Sequence, residues 1–199
     1  MKISAADVKE LRDLTNAGMM DCKKALVEAE GDEQAAFEWL RKKGLKTADK
    51  KSERTTSEGR VYSYIHHNQR VGVLVEIACE TDFVSRGDEF QALCHDVCMH
   101  IAATVPSPEA VSAADVSAEL VAEEKRILMA SEDMAGKPEE IREKIVAGRM
   151  EKFVKERALL EQEYVKDPSM TVDDRLKAAI AKLGEIMKIN RFSKFELGS

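Results

Sequence analysis

The most constraining feature of this sequence is the apolar run Val71–Cys79, which is followed directly by a polar segment at residues 80–88. β-Branched residues recur at every second position of the run, a pattern typical of a buried β-strand. Residues 61–66 alternate in the same way, and a short polar loop, residues 67–70, separates the two stretches. The sequence therefore predicts a β-hairpin.

An acidic residue and a large aromatic residue, Asp82 and Phe83, lie side by side just after the second predicted strand. A new helix is expected to begin at residues 85–88, so the pair falls in a connecting loop. Such loops often carry function, because a rigid scaffold positions them while they face solvent. The alternative is that Phe83 folds back as a hydrophobic staple near Phe90, a common arrangement at helix N-termini. The local pattern leaves both interpretations open.

The rest of the second half predicts helices and one late strand. The first helix spans about residues 88–104, with Phe90, Leu93, Val97 and Ile101 on one stripe. One further helix is expected at about 117–131. Another should begin at Pro138, and Gly148 interrupts its pattern. A last helix is expected at 171–183, with a stop at Gly184. Residues 185–197 look extended. This order predicts an α+β domain in which helices pack with an antiparallel three-stranded sheet.

The first 44 residues predict three short helices. Ser4 and Asp7 have the spacing of a capping box, and Val8, Leu11 and Leu14 are expected to share a face. The second helix should run from Met19 to about residue 29, and the third from Asp32 to a stop at Gly44. The pattern resembles a ubiquitin-associated-type (UBA-like) docking module. We thus expect a three-helix module at 1–44, a charged linker at 45–58 and an α+β core at 59–199.

Composition excludes several classes of protein. The 199-residue chain is 44% hydrophobic and 34% charged, as in ordinary globular proteins. It begins without a signal-peptide pattern and has no apolar run of the ~18 residues that a transmembrane helix needs, which predicts a cytoplasmic protein without a membrane partner. The net charge of −6 argues against direct nucleic-acid binding.

Cysteine and histidine side chains are potential metal ligands. Cys94, His95, Cys98 and His100 lie close in sequence, but on a helix the two histidines point to different faces, and a closed zinc site needs four converging ligands. We expect buried, reduced cysteines instead. The chain contains neither a glycine-rich phosphate loop nor a nucleophile motif. We therefore expect no metal, no cofactor and no catalytic residues.

The sequence Thr81-Asp82-Phe83-Val84 is similar to the signature of the bacterial elongation factor Ts family. Other similar segments occur in the same order along essentially the whole chain: residues 8–26, 73–84, 88–90, 136–139, 143–146, 148–149, 160–162, 165–169, 171–172, 181–185 and 195–198. The hairpin pattern occurs once, so the chain resembles the short form of the family, which has a single core.

The resemblance implies a guanine-nucleotide exchange factor for elongation factor Tu, which binds that GTPase in its GDP-bound and nucleotide-free forms. It implies that the N-terminal module docks through Arg12, Met19 and Met20. It also implies that Thr81, Asp82, Phe83 and Val84 intrude beside the partner's magnesium site. In long members of the family a hairpin histidine also contacts the partner, and its match here is either His66 or His67. The short form implies a homodimer, joined through the C-terminal half. A rival hypothesis is an adaptor that binds its partner equally well with or without nucleotide.

Overall fold

The computed structural model describes residues 3–15, 17–51, 54–134 and 136–198, with side chains throughout except at 45–51. The α-helices are α1 (Ala5–Thr15), α2 (Met19–Glu28), α3 (Glu33–Lys51), α4 (Asp82–Arg86), α5 (Asp88–Ala103), α6 (Ala118–Ala130), α7 (Glu139–Arg157) and α8 (Val172–Leu183). The strands are β1 (Glu58–Ile65), β2 (Val71–Cys79), β3 (Glu163–Tyr164), β4 (Asp167–Thr171) and β5 (Met187–Glu196). The predicted α+β class is confirmed.

The main sheet has the strand order β1-β2-β5 and is antiparallel. At the predicted hairpin, the backbone N–H of His66 donates to the carbonyl of Val71 over 2.9 Å. The late strand β5 joins the other side of β2, where the N–H of Leu197 donates to the carbonyl of Arg70 over 2.9 Å. The small β3–β4 ribbon was not predicted. Its strands are too short to show a periodic pattern.

The N-terminal three-helix module is confirmed. Ser4 and Asp7 form the expected capping box, because each backbone N–H donates to the other side chain, over 2.9 and 3.2 Å. The module's buried core residues are Val8, Leu11, Cys22, Ala25, Leu26, Ala36 and Leu40. Leu14 is largely exposed, so its predicted place on the core face was wrong.

The predicted end of the third helix at Gly44 was also wrong, because α3 continues to Lys51. A Cβ atom added at Gly44 would lie 2.9 Å from the Cβ of Ala181, closer than real side chains approach. The glycine therefore allows α3 to pass close to α8 and does not stop the helix. The predicted linker at 45–58 begins within this helix, and its residues 52 and 53 lie outside the described ranges.

Helix α5 carries the predicted apolar stripe: Phe90, Leu93, Val97 and Ile101 are buried. Cys94 and Cys98 lie between them, and all four cysteines of the chain are buried and free, as expected. Within the described ranges, no three His, Cys, Asp or Glu side chains come together in a way that could hold a metal ion.

Helix α7 runs without a break through Gly148, and Pro138 is its N-cap rather than a residue of its first turn. Helix α8 ends before Gly184, whose φ of +80° a glycine adopts without strain. The structure divides into two compact units, one of residues 1–60, 78–93 and 174–188 and one of residues 61–77, 94–173 and 189–199. None of the described helices is long and apolar enough to cross a membrane.

Candidate partner-binding site

The four signature residues begin a short helix, not the irregular loop that the sequence suggested. Thr81 is the N-cap of α4, and its hydroxyl oxygen accepts the N–H of Val84 over 3.4 Å. The hydroxyl of Ser85 donates to the carbonyl of Asp82 over 2.9 Å, and the N–H of Gly87 donates to the carbonyl of Val84 over 3.0 Å. The segment is thus a compact turn with defined side-chain directions.

Phe83 projects from this turn into solvent, with 84% of its surface exposed. Phe90, the residue on which a staple would close, is fully buried. The staple interpretation was therefore wrong. Val84 and Ser85, on the opposite side of α4, are buried and attach the turn to the protein. A single turn of helix thus separates an anchored side from an exposed aromatic side chain.

A pair of opposite charges flanks the exposed aromatic ring. Arg86 Nη2 lies 2.9 Å from Asp82 Oδ2, one helical turn apart, and both side chains are more than half exposed. An exposed pair of this kind contributes about 0–1 kcal/mol to stability. The pair can therefore open at little cost when another group competes for either charge.

The base of α4 is held by two acidic residues that the sequence analysis missed. Glu185 accepts the N–H of Thr81 at Oε2 over 3.0 Å and its hydroxyl at Oε1 over 2.7 Å. Glu80 in turn accepts the N–H of Ile186 over 2.8 Å. No local pattern could have revealed this contact, because 104 residues separate Thr81 from Glu185 in the chain.

Cys79, at the end of β2, also supports the base of the turn. Its Sγ donates to the carbonyl of Thr81 over 3.1 Å. Burial, together with the negative charge of Glu185, raises the pKa of the Cys79 thiol. Cys79 is therefore a neutral packing residue here and is not poised as a nucleophile.

In the N-terminal module, all three predicted contact residues are exposed. Arg12 lies in the last turn of α1, and Met19 and Met20 form the first turn of α2. The methionines are 52% and 75% exposed, so neither belongs to the module's core. Exposed methionines are flexible and polarisable, and they suit binding surfaces.

The two hairpin histidines differ in their surroundings. The hydroxyl of Tyr64 lies 2.9 Å from Nδ1 of His66, which is half-buried, whereas His67 is exposed. Their ring centroids lie 4.2 Å apart. His67 is thus the more accessible of the two, and His66 is held by its neighbour in β1.

Comparison with known proteins gives a consistent result. The family model described as "Elongation factor TS" matches residues 38–199. The chain is 56% identical to an elongation factor Ts of Synechocystis sp. over 99% of its own length and 90% of that protein. It is 55% identical to one of Prochlorococcus marinus, covering 98% and 89%, and 53% identical to one of Microcystis aeruginosa, covering 99% and 78%. The chain therefore belongs to the elongation factor Ts family of translation elongation factors.

Proposed function

We propose that this protein is a guanine-nucleotide exchange factor for elongation factor Tu and promotes GDP release during translation elongation. The observation that carries the proposal is Phe83, a nearly fully exposed aromatic side chain on a turn whose other side is buried. When a partner buries an exposed Phe held at a fixed position, the burial stabilises the complex by about 1.5–3 kcal/mol. The protein acts on its partner by binding and performs no covalent chemistry.

Exchange follows from a coupling of two binding events. A factor that weakens GDP binding by some ratio must itself bind the GDP form more weakly by the same ratio. The energy of burying Phe83 therefore has to be gained chiefly when the nucleotide or its magnesium ion is displaced. Asp82 adds a carboxylate that competes for groups around the magnesium ion, once its exposed pair with Arg86 opens.

The N-terminal module supplies affinity in this proposal. Arg12, Met19 and Met20 are exposed and belong to a module with its own buried core. A docking surface that binds both nucleotide states equally raises the affinity without driving exchange. In this proposal the N-terminal module binds the factor to the GTPase, and Asp82 and Phe83 of α4 disturb the nucleotide site. His66 or His67 would add a contact from the hairpin.

The rival function is an adaptor without exchange activity. The decisive experiment measures the release of fluorescent GDP from elongation factor Tu with and without this protein. An exchange factor accelerates release as its concentration rises. Calorimetry adds the second half of the test, because an exchange factor binds the nucleotide-free GTPase far more tightly than the GDP form. Equal affinities and an unchanged release rate would favour the adaptor.

We further propose that the protein acts in the cytoplasm as a homodimer, without nucleic acid or membrane partners. A second copy is supported by the large apolar side chains that remain exposed on the core domain. Val61, Ile65, Leu74 and Phe195 are examples from the main sheet, and Ile141 is one from α7. Obligate interfaces resemble a domain core cut in two, which is what such surfaces supply.

A further inference from the structure

We propose that Glu185 is a positioning residue that fixes the direction of Phe83 by completing the N-cap of α4 from a distant part of the chain. This inference rests on the proposed exchange function. Glu185 does not contact the partner in this account. It acts through Thr81, on the exposed aromatic side chain two residues further along.

The need for such a residue follows from the sequence of α4. A helix of five residues is too short to be stable by itself. In a capping box, an acidic side chain at the third helical position accepts the N–H of the N-cap residue. In α4 that position is Val84, whose buried side chain is apolar and cannot accept a hydrogen bond. Within α4, the position that normally caps the Thr81 N–H therefore offers it no side-chain acceptor.

Glu185 supplies that acceptor and a second one. Its two carboxylate oxygens accept the N–H and the hydroxyl of Thr81, over 3.0 and 2.7 Å. The same hydroxyl oxygen accepts the N–H of Val84 over 3.4 Å. The hydroxyl is thus a relay from the carboxylate to the helix, and its charge-assisted bond to Glu185 orients it as an acceptor.

A second bond keeps the two segments in register. Glu80, the residue before Thr81, accepts at Oε1 the N–H of Ile186, the residue after Glu185, over 2.8 Å. Arg54 lies 3.3 Å from the same carboxylate. We call Glu80, Thr81, Glu185 and Ile186 the clasp. Because Phe83 is exposed, the backbone of α4 sets its direction, and the clasp sets that backbone.

The consequence for exchange is preorganisation. A side chain held in its bound direction loses less conformational freedom when the partner buries it. Loss of the clasp should therefore reduce the maximal rate of GDP release at saturating factor, because the aromatic ring arrives misplaced. It should leave the half-saturating concentration nearly unchanged, because docking through the N-terminal module does not involve the clasp.

The test uses Glu185→Ala and Glu185→Gln in the full chain, with fluorescent GDP release from elongation factor Tu as the assay. We expect Glu185→Ala to lower the maximal rate about 10-fold or more. Glutamine can still accept from the Thr81 N–H and donate to its hydroxyl, so Glu185→Gln should stay within about fivefold of wild type. Glu89→Ala is the control, because it removes a carboxylate that pairs with Lys182 and does not contact Thr81.

A double substitution separates positioning from a merely structural role. If Glu185 acts through the aromatic ring, Glu185→Ala should lose most of its effect in a Phe83→Ala background, leaving only the smaller share that comes through Asp82 of the same helix. Multiplicative losses would overturn the proposal. In the free protein, hydrogen exchange at the Thr81 amide should be slow in wild type and Glu185→Gln and fast in Glu185→Ala. An unchanged amide in Glu185→Ala would also overturn it.

The outcomes distinguish the two proposals. If wild-type protein does not accelerate GDP release, the exchange function fails, and the role of Glu185 in it fails as well. If wild type is active, Phe83→Ala is slow and Glu185→Ala equals wild type, only the positioning role is overturned.

Discussion

At the scale of single residues, the exposure of Phe83 excludes the staple on Phe90, and the proposed partner-binding role can be tested by substitution. We predict that Phe83→Ala slows GDP release from elongation factor Tu about 10- to 150-fold, the loss expected for about 1.5–3 kcal/mol of aromatic burial. Asp82→Ala should have a smaller effect, since its carboxylate is solvated and paired with Arg86. Stopped-flow release of fluorescent GDP provides the measurement.

The same substitution should leave the fold intact. Surface changes usually alter stability by less than about 0.5 kcal/mol. Phe90→Ala is the matched control, because Phe90 is fully buried and its truncation should cost about 3–5 kcal/mol. A sharp drop in melting temperature for Phe83→Ala would contradict the assignment of this side chain to the partner.

His100 predicts a pH dependence of stability. It is fully buried, with Nε2 2.9 Å from Oε1 of Gln162 and Nδ1 accepting the N–H of Val165 over 3.2 Å. A neutral ring with its proton on Nε2 satisfies both contacts, whereas a second proton on Nδ1 would face the N–H of Val165. Burial lowers the pKa of His100 from its usual 6.5, with the bond to Gln162 opposing the shift.

The sign of the effect follows from this lowered pKa. Below pH 6.5 the unfolded chain takes up a proton that the folded chain resists, so unfolding becomes more favourable as the pH falls. We expect urea denaturation to show a lower free energy of unfolding at about pH 5.5 than at about pH 7.5. NMR titration of the His100 ring should give a midpoint below 6.5, and a midpoint above it would contradict the prediction.

At the scale of elements, two helical glycines should respond in opposite ways to alanine. At Gly148 in α7, a new Cβ would meet no atom within 4 Å, so Gly148→Ala should stabilise the protein by about 0.5–1 kcal/mol. At Gly44 in α3, the new Cβ would lie 2.9 Å from Ala181, so Gly44→Ala should destabilise by about 1–3 kcal/mol. Urea midpoints of the two variants provide the measurement, and shifts of the same sign would contradict it.

The two glycines also show how much of the fold local sequence could predict. The apolar periodicity placed α5, the hairpin and β5 correctly, because burial of one face dictates those patterns. Local sequence predicts a helix stop at Gly44, because glycine favours helix ends. In the structure, a glycine is needed at this position because α3 passes close to Ala181, which is distant in sequence.

Only part of the candidate site could be predicted from the sequence, because some of its contacts join residues that are distant in the chain. Its residues were identified by resemblance, whereas the pattern alone did not decide between solvent and a staple for Phe83. The bond from Thr81 to Glu185 joins residues 104 positions apart. A contact of that kind leaves no trace in local periodicity or capping patterns, so only the folded structure could show it.

The second helix of the N-terminal module provides a test of docking. We predict that Met20→Ala weakens binding to elongation factor Tu about 5- to 30-fold, corresponding to about 1–2 kcal/mol. The maximal rate of GDP release should change little, because α4 is intact. Val27→Ala is the matched control, an exposed apolar residue of the same helix outside the predicted contact set. Equal losses of affinity in the two variants, measured by calorimetry, would remove the specific role of Met20.

At the scale of the whole molecule, the prediction is a homodimer, and the structure offers two apolar surfaces for it. The resemblance implies pairing through the C-terminal half, where Ile141 of α7 is about half exposed. The outward face of the main sheet carries more exposed apolar residues: Val61, Ile65, Leu74 and Phe195. For the hairpin, a cross-strand contact places these side chains on one face, because Ile65 Cδ1 lies 3.1 Å from the Cβ position of Gly72, two residues before Leu74.

We therefore expect the full chain to sediment as a dimer at about micromolar concentration, with the sheet face as the interface. Ile65→Lys should shift it towards a monomer, because a buried, unpaired ammonium group costs several kcal/mol. Ile141→Lys makes the same chemical change on α7 and should leave the dimer intact. The opposite result would move the interface to α7, in the C-terminal half through which the resemblance implies pairing. A wild-type protein that sediments as a monomer at micromolar concentration would contradict the homodimer. Each functional unit would then carry a single copy of Phe83.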